Sequence, residues 1–381
     1  MENNEKQNIA FAYLKTGGGH ISGARAVSAR MTEMYPDAVE CFLKDGLEKG
    51  LKPVKAFLED GYSWSANSFE PGYVLFYQLT GAKFVLNNSY KLTKPFILPH
   101  LKEFIVKNRI TKIVCFHEIL ISLFREVLNR LHSDIPLISI VMDPFTAHPI
   151  WFYEKDTELI VFSKKLYRSA VDEFGFDSKR VHQFPLMISR KFDLPMTAGE
   201  IVEAKKKHGI PVDARVLLIA GGGEGLKNAK SIVKEFLKNN FNGYIMVVCG
   251  KNKKLKYDLT KLVEKQNAKN VLVFGFVSFM AELMNISDCV VSKGGPATIM
   301  ETLAIGKPLV VSAFVRGQEY GNVFFVQQND VGWFLEKPSA IYKKVSEIFE
   351  NPDVRAGIKK RIENMNIKNG LDDICEFIYN F

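Results

Sequence analysis

Twice along the chain a short apolar run breaks into a cluster of glycines and then into an amphipathic stretch. "IAFAYL" (9–14) leads through "KTGGGH" into "HISGARAVSARMTEMY", and "RVLLIA" leads through "GGGEG" into "LKNAKSIVKEFLKN" (215–239). Each is a buried strand, a sharp turn and a helix, the repeating unit of a parallel sheet covered on both faces. Similar apolar runs follow each one: "KIVCFH" (112–117), "PLISIVMD" (136–143) and "ELIVFS" (158–163) after the first, then "YIMVVCG", "VLVFGF", "DCVVSK" and "PLVVSAF" after the second. Helical patterns such as "ILISLFREVLNRLH" separate them. The sequence therefore predicts an α/β chain with two sheets and a boundary within 192–210. The expected division is 1–195, 196–360 and a C-terminal segment, 361–381, that crosses back to the first domain. A ligand is expected in the cleft between the domains, at the carboxyl ends of the strands.

With 381 residues, 47% hydrophobic and 24% charged, the chain can build two sizeable cores. Its first residues, "MENNEKQN", make no secretory signal, and no apolar run approaches the length of a membrane span, so a cytoplasmic protein is expected. Cys41, Cys115, Cys249, Cys289 and Cys375 show no C-x-x-C spacing, which predicts reduced, mostly buried thiols and neither zinc nor disulfides. A net charge of +9 points to an anionic partner, and no nucleic-acid-binding signature accompanies it. Between Lys44 and Lys112 aromatics (Phe57, Tyr62, Trp64, Phe69, Tyr73, Phe76, Tyr77, Phe84) are interleaved with lysines (Lys49, Lys52, Lys55, Lys83, Lys91, Lys94). That mixture suits a surface lying on anionic lipid, or equally the core of helices covering the sheet.

The glycine turns carry the candidate chemistry. "TGGGH" matches neither the dinucleotide fingerprint nor the phosphate-binding Walker loop, yet it sets His20 at the end of the first strand. In "SKGGPATIMETLAIGKPLVV" a second glycine turn opens a helix, where backbone N–H groups suit a phosphate. Glu301, one turn in, suits a pair of ribose hydroxyls or, alternatively, the helix dipole. The loop "SAFVRGQEYGN" offers amides and carboxylates that suit sugar hydroxyls, or is an ordinary polar loop.

Taken together, "TGGGH", "MDPFTAHPIWF", "IAGGGEG", "VVCGKNKKL", "FGFVSFMAELMNISD", "SKGGPATIMETLAIGKPLV" and "GQEYGN" resemble the GT-B glycosyltransferases that include monogalactosyldiacylglycerol synthases and processive diacylglycerol glucosyltransferases. More distantly they resemble the N-acetylglucosaminyltransferase that forms lipid II. The resemblance implies two Rossmann-like domains, an acceptor- and membrane-binding one followed by one that binds the UDP-sugar. It implies that Glu301 holds the ribose, that Gln318, Glu319 and Asn322 read the hexose, and that Phe276 and Val277 read uracil. Gly222, Gly223, Lys251 and Asn252, with Gly294, Gly295, Pro296, Ala297 and Thr298, would surround the diphosphate. Gly18, Gly19, His20 and Trp151 would face the acceptor.

His20 is the favoured general base, with Asp143 as competitor or partner and His148 paired with Asp143. The implied reaction moves glucose or galactose from a UDP-hexose to diacylglycerol with inversion, on the inner face of the cell membrane among anionic lipids. A polyprenyl-linked sugar transferase and a non-catalytic UDP-sugar-binding protein are the alternatives. No D-x-D occurs. No metal or other cofactor is expected, the UDP charge falling to helix N-termini and a lysine. Lys251 stands where many relatives carry Arg, "FPLMIS" places Met187 where Pro is usual, and Arg316 adds charge to the sugar loop.

Overall fold

The computed structural model describes residues 6–15, 19–48 and 83–381, with side chains from 94 onward in the last span. Gly18 and the aromatic and lysine side chains of the lipid-surface expectation, Lys94 excepted, lie outside the described residues. The chain divides into two compact units. One comprises Met1–Met187, Arg316–Gln318 and Asn369–Phe381, and the other Ile188–Val315 and Glu319–Lys368.

The first unit is built on six strands: β1 (Gln7–Tyr13), β2 (Val39–Asp45), β3 (Lys112–Cys115), β4 (Leu137–Ile140), β5 (Glu158–Val161) and β6 (Val181–Gln183). They are all parallel, in the order β2-β1-β3-β4-β5-β6. Helices cover both faces, which is why Ile9–Ala12 and Ile113–Cys115 are apolar without alternation and fully buried. The helix after β1, Gly19–Met34, buries His20, Ala24, Val27 and Met31, a stripe at helical spacing.

The helix Leu371–Asn380 belongs to this unit. Arg30 grips Asp372 with Nε and Nη2 at 2.7 and 2.9 Å, and the rings of Tyr35 and Tyr379 stack at 3.9 Å. Buried Lys112 donates Nζ to the carbonyls of Ile378 and Tyr379, the exposed end of that helix's dipole. Burial lowers the Lys112 ammonium to about 8.

The second unit carries β7 (Val216–Ala220), β8 (Tyr244–Val248), β9 (Val271–Phe274), β10 (Cys289–Lys293), β11 (Leu309–Ala313) and β12 (Gly332–Phe334), again all parallel, in the order β12-β11-β10-β7-β8-β9. Local signals start its helices: Thr197 and Glu200 close a capping box at the head of Ala198–Lys207.

In each sheet the chain winds one way and then reverses. The reversal falls between β1 and β3 in the first sheet and between β7 and β10 in the second, the place where open α/β sheets bind ligands. The five cysteines are free thiols, four of them buried. Among the described residues no helix is long and apolar enough to cross a membrane.

Candidate functional site

At the reversal point of the first sheet the loops after β1 and β3 meet through His20. It lies in the first turn of Gly19–Met34 and is 8% exposed, and its Nδ1 stands 2.5 Å from the carbonyl oxygen of Phe116. A carbonyl can only accept, so Nδ1 carries the proton and Nε2 keeps the lone pair a base needs. The His117 ring lies 4.6 Å from it and the Trp151 ring 6.5 Å. Burial, aided by His117, brings the His20 imidazole down to about 4, while Glu118 and the Phe116 carbonyl pull the other way. Burial alone takes His117 to about 3. Both rings are therefore neutral at pH 7.

His117 and Glu118 are absent from the sequence-derived site, where "KIVCFH" reads as one strand and the helix begins at Ile119. In the structure β3 stops at Cys115 and His117 becomes the N-cap of Glu118–Leu131, its Nδ1 accepting from the Ile119 N–H at 3.3 Å. The signal was a polar pair between a strand and an amphipathic helix, with the acidic residue in the first turn. This is also the one place among the described residues where three His, Cys, Asp or Glu side chains converge: the side-chain N and O atoms of His20, His117 and Glu118 lie within 4.8 Å of one another.

Asp143 and His148 follow β4 and are both buried. Asp143 Oδ1 accepts a hydrogen bond from Gln318 Nε2 at 3.0 Å, within the first unit. His148 caps the turn Pro149–Phe152, its Nδ1 accepting from Ile150 N at 3.3 Å. Trp151 is fully buried beside His20, and its Nε1 finds no hydrogen-bond partner among the described residues. Gly19 has open space where a side chain would point.

The reversal point of the second sheet is lined by glycine. Gly222 and Gly225 take φ of +71°, and Gly250 takes +59°. A Cβ on Gly250 would stand 2.2 Å from the Gly223 carbonyl oxygen, and one on Gly225 would stand 2.7 Å from that of Cys249. The loops after β7 and β8 thus pack backbone on backbone, and Lys251 N donates to Gly223 O at 2.7 Å. Gly222 and Gly223 face open space.

After β10, Gly295 and Pro296 open the helix Pro296–Ala304 with no side-chain cap on its first N–H groups, and Ala297 is exposed. A helix start left this way presents its donors outward. Glu301, one turn in, is half-buried, and burial raises its carboxyl to about 8. Phe276 is exposed after β9.

Three residues expected to meet ligand are engaged within the protein. Glu319, 6% exposed, accepts from the Val315 N–H at 2.7 Å and pairs with Lys293 at 2.9 Å. Asn322 donates Nδ2 to the Gly294 carbonyl at 2.9 Å. Asn252 is the N-cap of Lys253–Lys265, its Oδ1 accepting from Leu255 N at 2.9 Å. A short polar side chain beside a turn satisfies the nearest orphan backbone group first, so these three hold the glycine turns in shape.

The neutral histidines bear on stability. The unfolded chain takes up protons at His20 and His117 below about 6.5, whereas the folded chain resists until about 4 and 3. The unfolded state then binds more protons and stability falls as pH drops through that window, by up to about 1.4 kcal/mol per pH unit per histidine. Urea unfolding at pH 7 and pH 5 should show this loss. His117→Asn, which retains an N-cap acceptor, should remove about half of the two-histidine contribution.

Two all-parallel six-stranded sheets, each reversing its strand order once, are the layout of the GT-B class of α/β fold, and the similarities to known proteins agree. Residues 216–374 match the glycosyltransferase family 28 C-terminal domain and residues 20–188 match the monogalactosyldiacylglycerol (MGDG) synthase family. The chain has the GT-B fold of glycosyltransferases, its first half similar to the one family and its second half to the other. It is 26% identical over 368 residues to monogalactosyldiacylglycerol synthase 1, chloroplastic, of Arabidopsis thaliana, covering 92% of this chain and 66% of that one. The chain thus spans about two thirds of the length of that relative.

Among solved structures it resembles Medicago truncatula UGT71G1 complexed with UDP-glucose (TM-score 0.62, 14% identity, 99% of each chain). It also resembles Acinetobacter baumannii MurG (TM-score 0.59, 12% identity, 99% of this chain and 100% of that one). At these identities the likeness shows the fold.

Proposed function

We propose that the chain transfers a hexose, glucose or galactose, from a UDP-sugar to the free hydroxyl of diacylglycerol, forming a β-glycosyldiacylglycerol. The observation that carries this reading is the neutral, buried His20 at the reversal point of the first sheet, inside the segment that matches the MGDG synthase family. Its free Nε2 takes the hydroxyl proton as the acceptor oxygen attacks the anomeric carbon. UDP departs with the electron pair of the broken bond. A single displacement of this kind inverts the anomeric centre.

The UDP part of the donor falls to the second unit. Gly222, Gly223 and the uncapped start of Pro296–Ala304 receive the diphosphate, with Lys251 beside them, and their N–H dipoles hold the leaving charge without a metal. Glu301 takes the ribose hydroxyls, Phe276 and Val277 the uracil, and Gln318 a hydroxyl of the hexose. Asp143 holds Gln318 in place and does not serve as the base. A net charge of +9 and the aromatic and lysine residues of 44–112 support a peripheral position on the anionic inner face of the cell membrane. The test is the product: glycolipid isolated after incubation with diacylglycerol micelles and proton NMR of its anomeric position. A β-linkage is expected, and an α-linkage overturns the single displacement.

A further inference from the structure

His20 is held as a base by one partner and lacks a countercharge among its hydrogen bonds. Its Nδ1 proton is committed to the Phe116 carbonyl, which fixes the tautomer and aims Nε2 away from that contact. Once Nε2 accepts a proton, a full positive charge appears on a ring 8% exposed, and such a charge needs a counterion within a few ångströms.

The neighbouring helix supplies one. Glu118 is its first residue, the Oε2 atom is shut off from solvent, and that atom finds no hydrogen-bond partner among the described residues. It stands 3.3 Å from His117 Nδ1, but that nitrogen already accepts from the Ile119 N–H, so the contact is no hydrogen bond to the carboxylate. His117 is thus a neutral ring against His20, and the charge of Glu118 is left unspent beside both, within the same 4.8 Å cluster.

We propose that Glu118 is the positioning residue for His20, its buried carboxylate stabilising the imidazolium that forms when His20 takes the proton of the acceptor hydroxyl. The proposal rests on His20 being the base. The proton moves from the acceptor oxygen to Nε2 while that oxygen bonds the anomeric carbon and the bond to UDP breaks. The imidazolium and carboxylate then face each other until the proton passes to water. The titratable groups that act on His20 are His117, a neutral ring, and the Glu118 carboxyl.

The test compares the native chain with Glu118→Gln, which keeps the shape and removes the charge, and Glu118→Asp, which keeps the charge. Turnover is read as kcat and donor KM, and the His20 ring by histidine-labelled NMR as pH is lowered. Glu118→Gln should lower kcat at pH 7 by about 10- to 100-fold with donor KM within about twofold. It should also lower the acid midpoint of His20 by about one unit or more. Glu118→Asp should fall between the two.

An unchanged His20 titration in Glu118→Gln overturns the proposal, as does equal loss in both variants with a rising KM. Stoichiometric zinc in the native chain that Glu118→Gln loses overturns it as well, since a metal would then use the charge. If no pair of sugar and lipid turns over, the proposed function fails, and the NMR comparison still decides whether Glu118 acts on His20.

Discussion

Replacing His20 with alanine should lower turnover by about 10²- to 10⁴-fold while leaving UDP affinity unchanged. That range is what a positioned general base contributes to proton transfer. The UDP part of the donor is assigned to glycine turns and helix starts of the other compact unit, none of which His20 builds. The substitution also strips the Phe116 carbonyl of its partner and opens a small void, which costs about 1–3 kcal/mol of stability. His20→Asn offers a nitrogen to the same carbonyl and has no basic atom, so it separates the two effects. It should restore much of the stability and none of the rate. Stopped assays of initial rate, beside urea unfolding of both variants, make the measurement. Full activity in His20→Asn would move the base to Asp143.

Glu301→Ala should weaken UDP binding by about 10- to 100-fold, the equivalent of about 1.5–3 kcal/mol for hydrogen bonds to a charged group. The raised carboxyl makes the effect pH-dependent, and the sign follows from the proton count. In the free protein Glu301 is largely protonated below about 8. Two ribose hydroxyls donating to it would favour the ionised form, so nucleotide binding should release a proton at pH 7 and tighten as pH rises toward 8. Calorimetry in buffers of different ionisation enthalpy reads that proton directly.

Stability runs the opposite way. Between about 4.5 and 8 the folded chain holds a proton that the unfolded chain has lost, so stability falls as pH rises through that window. Glu301→Gln should therefore stabilise the free protein more at pH 8 than at pH 5. A carboxylate kept at a cost to folding is what a ligand-binding role predicts.

The glycine turns were legible because backbone geometry writes them into the sequence. At Gly250 and Gly225 a positive φ and a neighbouring carbonyl leave no room for a side chain, and glycine after an apolar run announces such a turn. His20 was legible for the same reason, as the first side chain beyond one. Strand order was not legible, since nothing local says that β10 pairs with β7 or β3 with β1. The reversal points, and with them the approach of His117 and Glu118 to His20, emerge only when the sheets are built. Glu319, Asn322 and Asn252 show the converse: residue type marks them as able to bond a sugar or phosphate. Only the fold shows that Val315, Lys293, Gly294 and Leu255 are already their partners.

The central claim, that this chain moves a hexose from UDP onto diacylglycerol, is tested most directly by UDP release from purified protein. UDP-glucose, UDP-galactose and UDP-N-acetylglucosamine are offered in turn with mixed micelles that contain or lack diacylglycerol. Release that requires both diacylglycerol and one of the two simple hexoses is the predicted result. Release that ignores the lipid, or none with any sugar from a protein that binds UDP, would contradict it.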